Sequence, residues 1–288
     1  MIEASHVPLP DGRRLGYQEY GDPGGNPVFF FHGWIGSRLD FGPNDAAAKE
    51  LGIRVVSVDR PGCGSSDHQP DRTMLDWPND VSSAADALGI ERFGVCGHSF
   101  GGPYVAACAH QLPSRVTSAT IVAGISPVSV PGATRGMPAL VRGNLWLGGH
   151  APALTRPSVA LMAASVKKPA ALKKRMRSTL PEGERALLGE PRFAGFVEDL
   201  GEMVRHGSEG AYWDARVVLG DWGFDCRNIE VPVSLFYGTA DRNVPVQMGE
   251  FYRDSIPASR AMFYPGEGHF IMYSRVSEIL GSLLGETS

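Results

Sequence analysis

Gly94-Val95-Cys96-Gly97-His98-Ser99-Phe100-Gly101-Gly102 places one serine between two glycines, where an apolar run stops and a helix-compatible run begins. Strand, one-residue tip, helix is the geometry of a nucleophile elbow. The chain bends so sharply there that positions 97 and 101 tolerate little side chain. The serine takes a strained position with its hydroxyl exposed. A five-residue pattern recurs by chance in a chain with 36 glycines, so the segments on either side decide its meaning.

Upstream, Leu9-Pro10-Asp11-Gly12-Arg13 reads as a hairpin turn, with Asp-Gly supplying positive φ. Val28–Phe31, Arg54–Val58 and Phe93–Cys96 are continuous apolar runs of strand length, which suit strands covered on both faces, as in parallel sheets. Helical spacing separates them, and Val116–Ala123 adds another strand. From about 126 to 224 strand-like runs nearly vanish, and prolines 131, 138, 152, 157, 169, 181 and 191 break a helical stretch. Alternation then resumes with strands at 233–237 and 261–264 and helices near 247–254 and 273–284. The expected architecture is a doubly wound, mostly parallel α/β core (1–125 and 225–288) carrying a helical cap (126–224). Ligands of such sheets bind beyond the C-terminal strand ends, where His32-Gly33, Asp59 and Ser99 all fall.

Composition narrows the function classes. The chain has 288 residues, a net charge of −4 and 43% hydrophobic residues, as in an ordinary soluble globular protein. That charge lacks the basic excess of a nucleic-acid binder, and no apolar run is long enough for a membrane span. Met1–His6 lacks the basic start and apolar core of a signal peptide, so a cytoplasmic setting is expected, with cysteines 63, 96, 108 and 226 reduced and Cys96 and Cys108 in segments that read as buried. No metal-ligand spacing is present, and no metal or cofactor is expected. Asp59 to Asp67 has two close glycines but lacks the lysine of a phosphate loop and the third glycine of a dinucleotide site, so it reads as a structural turn.

A serine hydroxyl needs a base, and the base needs an orienting group. Asp241 follows the 233–237 strand and His269 follows the next one. With His32-Gly33, the Asp59-x-Pro61-Gly62-x-Gly64-x-Ser66 run and Gly97-x-Ser99-x-Gly101, the order Ser99, Asp241, His269 resembles the α/β-hydrolase superfamily, close to its small, capped esterase and lipase-like branch. The resemblance covers about 10–125 and 230–285 and nothing specific in the cap. It implies Ser99 as nucleophile, His269 as general base and then acid, and Asp241 as the group holding the imidazole. The backbone N–H groups of Trp34 and Phe100 would form the oxyanion hole.

The sequence departs from the family pattern after His-Gly, where Trp34-Ile35 replaces a small residue and a proline. His-Gly-Trp also resembles the cofactor-free perhydrolase branch, which uses the same triad. The expected activity is hydrolysis of a carboxylic ester of a moderately apolar small molecule. The alternatives are thioester, lactone, peracid or aminopeptidase chemistry on the same triad, or ligand binding without turnover. A peptidase would draw amine-binding carboxylates from Glu198, Asp199, Glu202 and Glu209; a basic helix face at Lys167–Arg177 would suit the anionic part of an acyl thioester. Candidate pocket residues are Trp34, Phe100, Trp146, Trp213 and Phe270.

Overall fold

The continuous apolar runs become the centre of an eight-stranded sheet, ordered β1-β2-β4-β3-β5-β6-β7-β8. A computed structural model describes residues 3–168, 170–172, 174 and 182–284. β1 (Ser5–Pro8) and β2 (Arg14–Gly21) pair antiparallel through a turn in which Gly12 has φ +89°. β2 pairs antiparallel with β4 (Ile53–Val58). From β4 onward the sheet is parallel, through β3 (Asn26–Phe31), β5 (Phe93–His98), β6 (Val116–Val122), β7 (Val233–Gly238) and β8 (Ser259–Tyr264).

Side chains alternate across a strand, so one apolar run feeds two cores. Phe29 and Phe31 face a cluster with Trp77 and Val81 of α2 (Trp77–Ala87) and Tyr104 of α3 (Gly101–Gln111). Val28 and Phe30 face the other side, with Ala48 of α1 (Asp45–Glu50) and Ile279 near the C-terminus. Covered on both faces, these strands can be apolar throughout.

Between Val122 and Val233 the described residues hold helices and turns and no strand: α4 (Ala139–His150), α5 (Arg156–Val166), α6 (Glu182–Leu187), α7 (Phe196–Met203) and α8 (Glu209–Leu219). Of the basic run at 167–177, residues 167, 168, 170–172 and 174 are described, and the others lie outside the described residues. The chain closes with α9 (Val246–Ser255), α10 (Ile271–Ser274) and α11 (Val276–Gly281), so the single helix expected over 273–284 is two short ones meeting at Arg275. All four cysteines are buried and free. No helix among the described residues is long and apolar enough to cross a membrane.

Candidate active site

The turn after β5 is built as its sequence demands. Ser99 has φ +55°, a left-handed conformation costly for a residue with a side chain, and its N–H donates to the Val122 carbonyl at 2.9 Å. A Cβ at Gly97 would stand 2.5 Å from the Gly101 carbonyl oxygen, and one at Gly101 would stand 2.1 Å from that of Phe31. Only glycine lets α3 start this close to the ends of β3 and β5. A Cβ at Gly33 would lie 3.5 Å from Ser99 Cβ, which places the His32-Gly33 turn directly beside the serine.

Two more strand ends contribute. Asp241, after β7, accepts the N–H groups of Asn243 (2.7 Å) and Val244 (2.9 Å) on Oδ1, leaving Oδ2 for His269 Nδ1 at 2.7 Å. A carboxylate only accepts, so Nδ1 carries the hydrogen and Nε2 is the ring nitrogen available as a base. Burial works against the His269 cation, but Asp241, with smaller help from Glu184 and Asp40, outweighs it and raises the imidazole above its ordinary value. Glu184 reaches in from α6 and accepts the His269 backbone N–H at 2.7 Å, in a space that a Cβ at Gly268 would fill. The His98 ring lies 4.9 Å from the His269 ring, tilted by 39°, and donates Nε2–H to the His269 carbonyl at 3.1 Å.

The turn beside the serine is held from behind. His32 Nδ1 donates to the Gly33 carbonyl (2.8 Å), and Arg60 Nη2 donates to the same oxygen (3.2 Å) while its Nη1 holds the His32 carbonyl (2.5 Å). Burial, reinforced by Arg60, lowers His32 to about 3 and keeps it neutral. In a trans peptide C=O and N–H point opposite ways, so fixing the Gly33 carbonyl fixes the direction of the Trp34 N–H. The Gly33 N–H donates to Asp40 Oδ2 at 3.1 Å, and Tyr273 donates its hydroxyl to the other Asp40 oxygen. Burial opposes the Asp40 charge, yet His98, Tyr273 and Gly33 hold it down to about 2.

The helical segment grips this turn at several points. Asp214 of α8 forms a two-pronged pair with Arg60 (2.7 and 2.8 Å) and also accepts from Arg72 (3.1 Å) and the Tyr104 hydroxyl (2.8 Å), all buried. Asp199 of α7 accepts the N–H and hydroxyl of Ser37 on one oxygen, while its other oxygen has no partner. Burial and the nearby Asp40 push Asp199 well above the ordinary carboxyl value. Trp34 donates its indole N–H to the Ala211 carbonyl of α8 at 3.0 Å.

Trp34 stacks on Phe100 with ring centroids 5.7 Å apart. The two rings form one wall of a cavity of about 300 Å³ whose other walls include Leu145, Val159, Met162 and Leu219. A larger cleft of about 520 Å³ lies at the N-terminal ends of β6 to β8, around Thr117, Pro232 and Arg260, away from every residue of the serine site. The other aromatic candidates stand elsewhere. Trp146 is exposed and stacks on His150. Trp213 donates to Glu209 and lies under Arg216, and Phe270 packs between Phe196 and Tyr273. None of the three lines the 300 Å³ cavity.

Arg60, Asp40, Glu184 and Asp214 escape a reading of motifs. One signal for Asp214 exists: Ala211, Asp214, Ala215 and Val218 share a helix face by three- and four-residue spacing, and that face is buried. A carboxylate on such a face requires a partner.

A family model described as alpha/beta hydrolase fold matches residues 26–276. The chain is 28% identical to a non-heme chloroperoxidase of Streptomyces lividans, over 88% of this chain and 86% of that protein. It is 25% identical to the bifunctional esterase/perhydrolase DCH of Acinetobacter calcoaceticus, over 97% and 98%. Among solved structures, a hydrolase from Pseudomonas aeruginosa PA01 superposes with a TM-score of 0.70 at 19% identity, over 99% of each chain.

Proposed function

Because the chain belongs to the alpha/beta hydrolase family, we propose that it is a serine hydrolase cleaving a carboxylic ester of a moderately apolar small molecule through an acyl-enzyme. The observation that carries this reading is the strained Ser99 beside Gly33, on the same sheet edge as a histidine whose Nδ1 is committed to Asp241. Ser99 Oγ attacks the ester carbonyl carbon while His269 Nε2 takes its proton. The oxyanion accepts hydrogen bonds from the N–H groups of Trp34 and Phe100. Collapse expels the alcohol, which takes the proton from His269. Water then attacks the acyl-enzyme by the same steps, releasing the acid and restoring Ser99. The helices between β6 and β7 act as a cap, and the cavity behind Trp34 and Phe100 takes the apolar substrate part. Its 300 Å³ is at the small end of the roughly 300–1,000 Å³ range of ligand pockets.

The names of the two relatives favour a second use of the same residues: attack of hydrogen peroxide on the acyl-enzyme, so that a carboxylic acid and peroxide give a peracid and water. One panel separates the readings. Wild type and Ser99→Ala are assayed on p-nitrophenyl esters, thioesters, lactones and aminoacyl amides, and on acetate with peroxide using halide oxidation as the readout. A fluorophosphonate should label the wild type alone, and ester turnover should vanish in the variant. Ester turnover that survives in Ser99→Ala refutes the mechanism. Halide oxidation exceeding ester turnover would favour the perhydrolase reading.

A further inference from the structure

Charge in this chain is strongly polarised. From Ser126 to Pro181 there is no aspartate or glutamate, against nine lysines and arginines, at 135, 142, 156, 167, 168, 173, 174, 175 and 177. The chain as a whole carries −4, so the remaining residues carry −13 (−4 − 9). Among the described members, Arg135, Arg142, Lys167, Lys168 and Lys174 are exposed. Arg156 is answered by Glu209 of α8 at 2.6 Å and drops out of the count.

The same stretch exposes its largest apolar side chains. Leu140, Trp146, Leu154 and Leu161 are 79%, 59%, 66% and 74% accessible. Scattered exposed leucines are ordinary, but these four fall within 22 consecutive residues (140–161) on two helices and the turn between them. On α4, Gly148 is pressed onto Leu219 of α8, and Trp146 sits about 200° around the helix from it by helical geometry. By the same geometry Ala139, Arg142, Gly143 and His150 share the Trp146 face, while the exposed Leu140 stands about 120° round from Trp146, nearer the first turn of the helix. On α5, Val159, Ala163 and Val166 are buried, while Pro157, Leu161 and Ala164 face the opposite way. Each helix therefore has apolar residues on both sides, one against the fold and one against solvent.

We propose that the outer face of α4 and α5 docks on an anionic lipid surface, with Leu140, Trp146, Leu154 and Leu161 entering the interface and the flanking cations meeting the headgroups. Large exposed apolar side chains in a stretch rich in lysine and arginine, which carries no carboxylate of its own, are the features of a segment lying in the interface plane rather than spanning it. Each cation near an anionic leaflet adds attraction that falls off within a Debye length. A symmetric dimer through this face would set the same cations against each other, so the charge pattern that suits lipid opposes a second copy. The surface does not depend on the serine chemistry, although the cavity lined by Leu145, Val159 and Met162 lies between the same two helices.

Sedimentation with phosphatidylcholine vesicles, with and without phosphatidylglycerol, tests this on the full chain. The wild type should bind the anionic vesicles at least about tenfold better than the neutral ones, less so as salt is raised, and with a blue-shifted tryptophan emission. The double variant Leu140→Ser/Leu161→Ser should lose about tenfold or more of that binding while keeping wild-type turnover of a soluble p-nitrophenyl ester, which shows that it is folded. Equal binding to both vesicles, or binding unchanged in the variant, overturns the proposal. So does a concentration-dependent dimer, seen by sedimentation velocity, that the variant abolishes.

Discussion

Asp214→Asn removes one charge and almost no volume, at a place where three buried groups depend on that charge. The Arg60 and Arg72 side chains are 0% and 1% accessible, and Asp214 is the carboxylate that both of them bind. Burial alone would raise Asp214, but Arg60 and then Arg72 outweigh it and hold the group far below the usual carboxylate range. A depressed carboxyl contributes stability that is complete above its unfolded pKa of about 3.9 and is lost only as pH falls through the lower folded value. At neutral pH the whole contribution is therefore at stake. Removing one partner of a buried pair costs about 3–5 kcal/mol. At about 2–4 °C per kcal/mol for a chain of this size, the melting temperature should fall by roughly 6–20 °C. A kinetic effect accompanies the thermal one, because Arg60 also holds the His32 and Gly33 carbonyls. An Arg60 released from Asp214 loosens the peptide that aims the Trp34 N–H. The ceiling for losing one oxyanion donor is about two to three decades in kcat, and a loosened donor should cost about one decade, with KM changed far less. Calorimetry at neutral pH and steady-state ester kinetics below the variant's melting point read both effects. A variant melting within about 2 °C of wild type would refute the buried-pair argument. A variant that is destabilised but has wild-type kcat would refute the link to Trp34.

The raised His269 sets two signs. As a base it must be neutral, so kcat/KM should fall on the acid side with a midpoint above about 6.5; Asp241→Asn should lower both that midpoint and the rate, the latter by about four decades. The stability from the His269 cation is present below about 6.5 and is lost as pH rises through the folded value, so melting curves should show a small decline there that Asp241→Asn abolishes. Glu184→Gln keeps an acceptor for the His269 N–H and removes a charge, so it should shift the acid limb downward with kcat held within about threefold. Glu184→Ala removes both, and should also lower kcat. An unmoved acid limb in the glutamine variant would deny Glu184 any electrostatic part.

The elements at the strand ends were legible because each announces itself locally. An apolar run marks each parallel strand, and Gly33, Ser99, Asp241 and His269 follow such runs within a few residues. The helical segment gave no such markers. Asp214 and Glu184 meet their partners 154 and 85 residues away in sequence, and nothing beside them says which of several carboxylates turns inward. Patterning does hold part of the answer, since Asp199 shares a face with Leu200 and Met203 of α7, all buried. Trp146 shows the opposite limit. An aromatic in an apolar helix is expected in a core, but α4 is apolar on two faces and only one can be covered.

Trp34 also constrains how such a chain can change under selection. Its indole walls the apolar cavity and is bonded to Ala211, while its backbone follows the carbonyl held by His32 and Arg60. Under the proposed function a mutation there would alter substrate fit and perturb the turn beside Ser99 together, so most such changes should be purged. Val141, Asn144 and Met162 line the same cavity from α4 and α5 and belong to helices that contribute no group to the serine site. Drift in substrate preference between lineages should therefore accumulate on those helices, leaving Trp34 as the slow-changing wall of a fast-changing pocket.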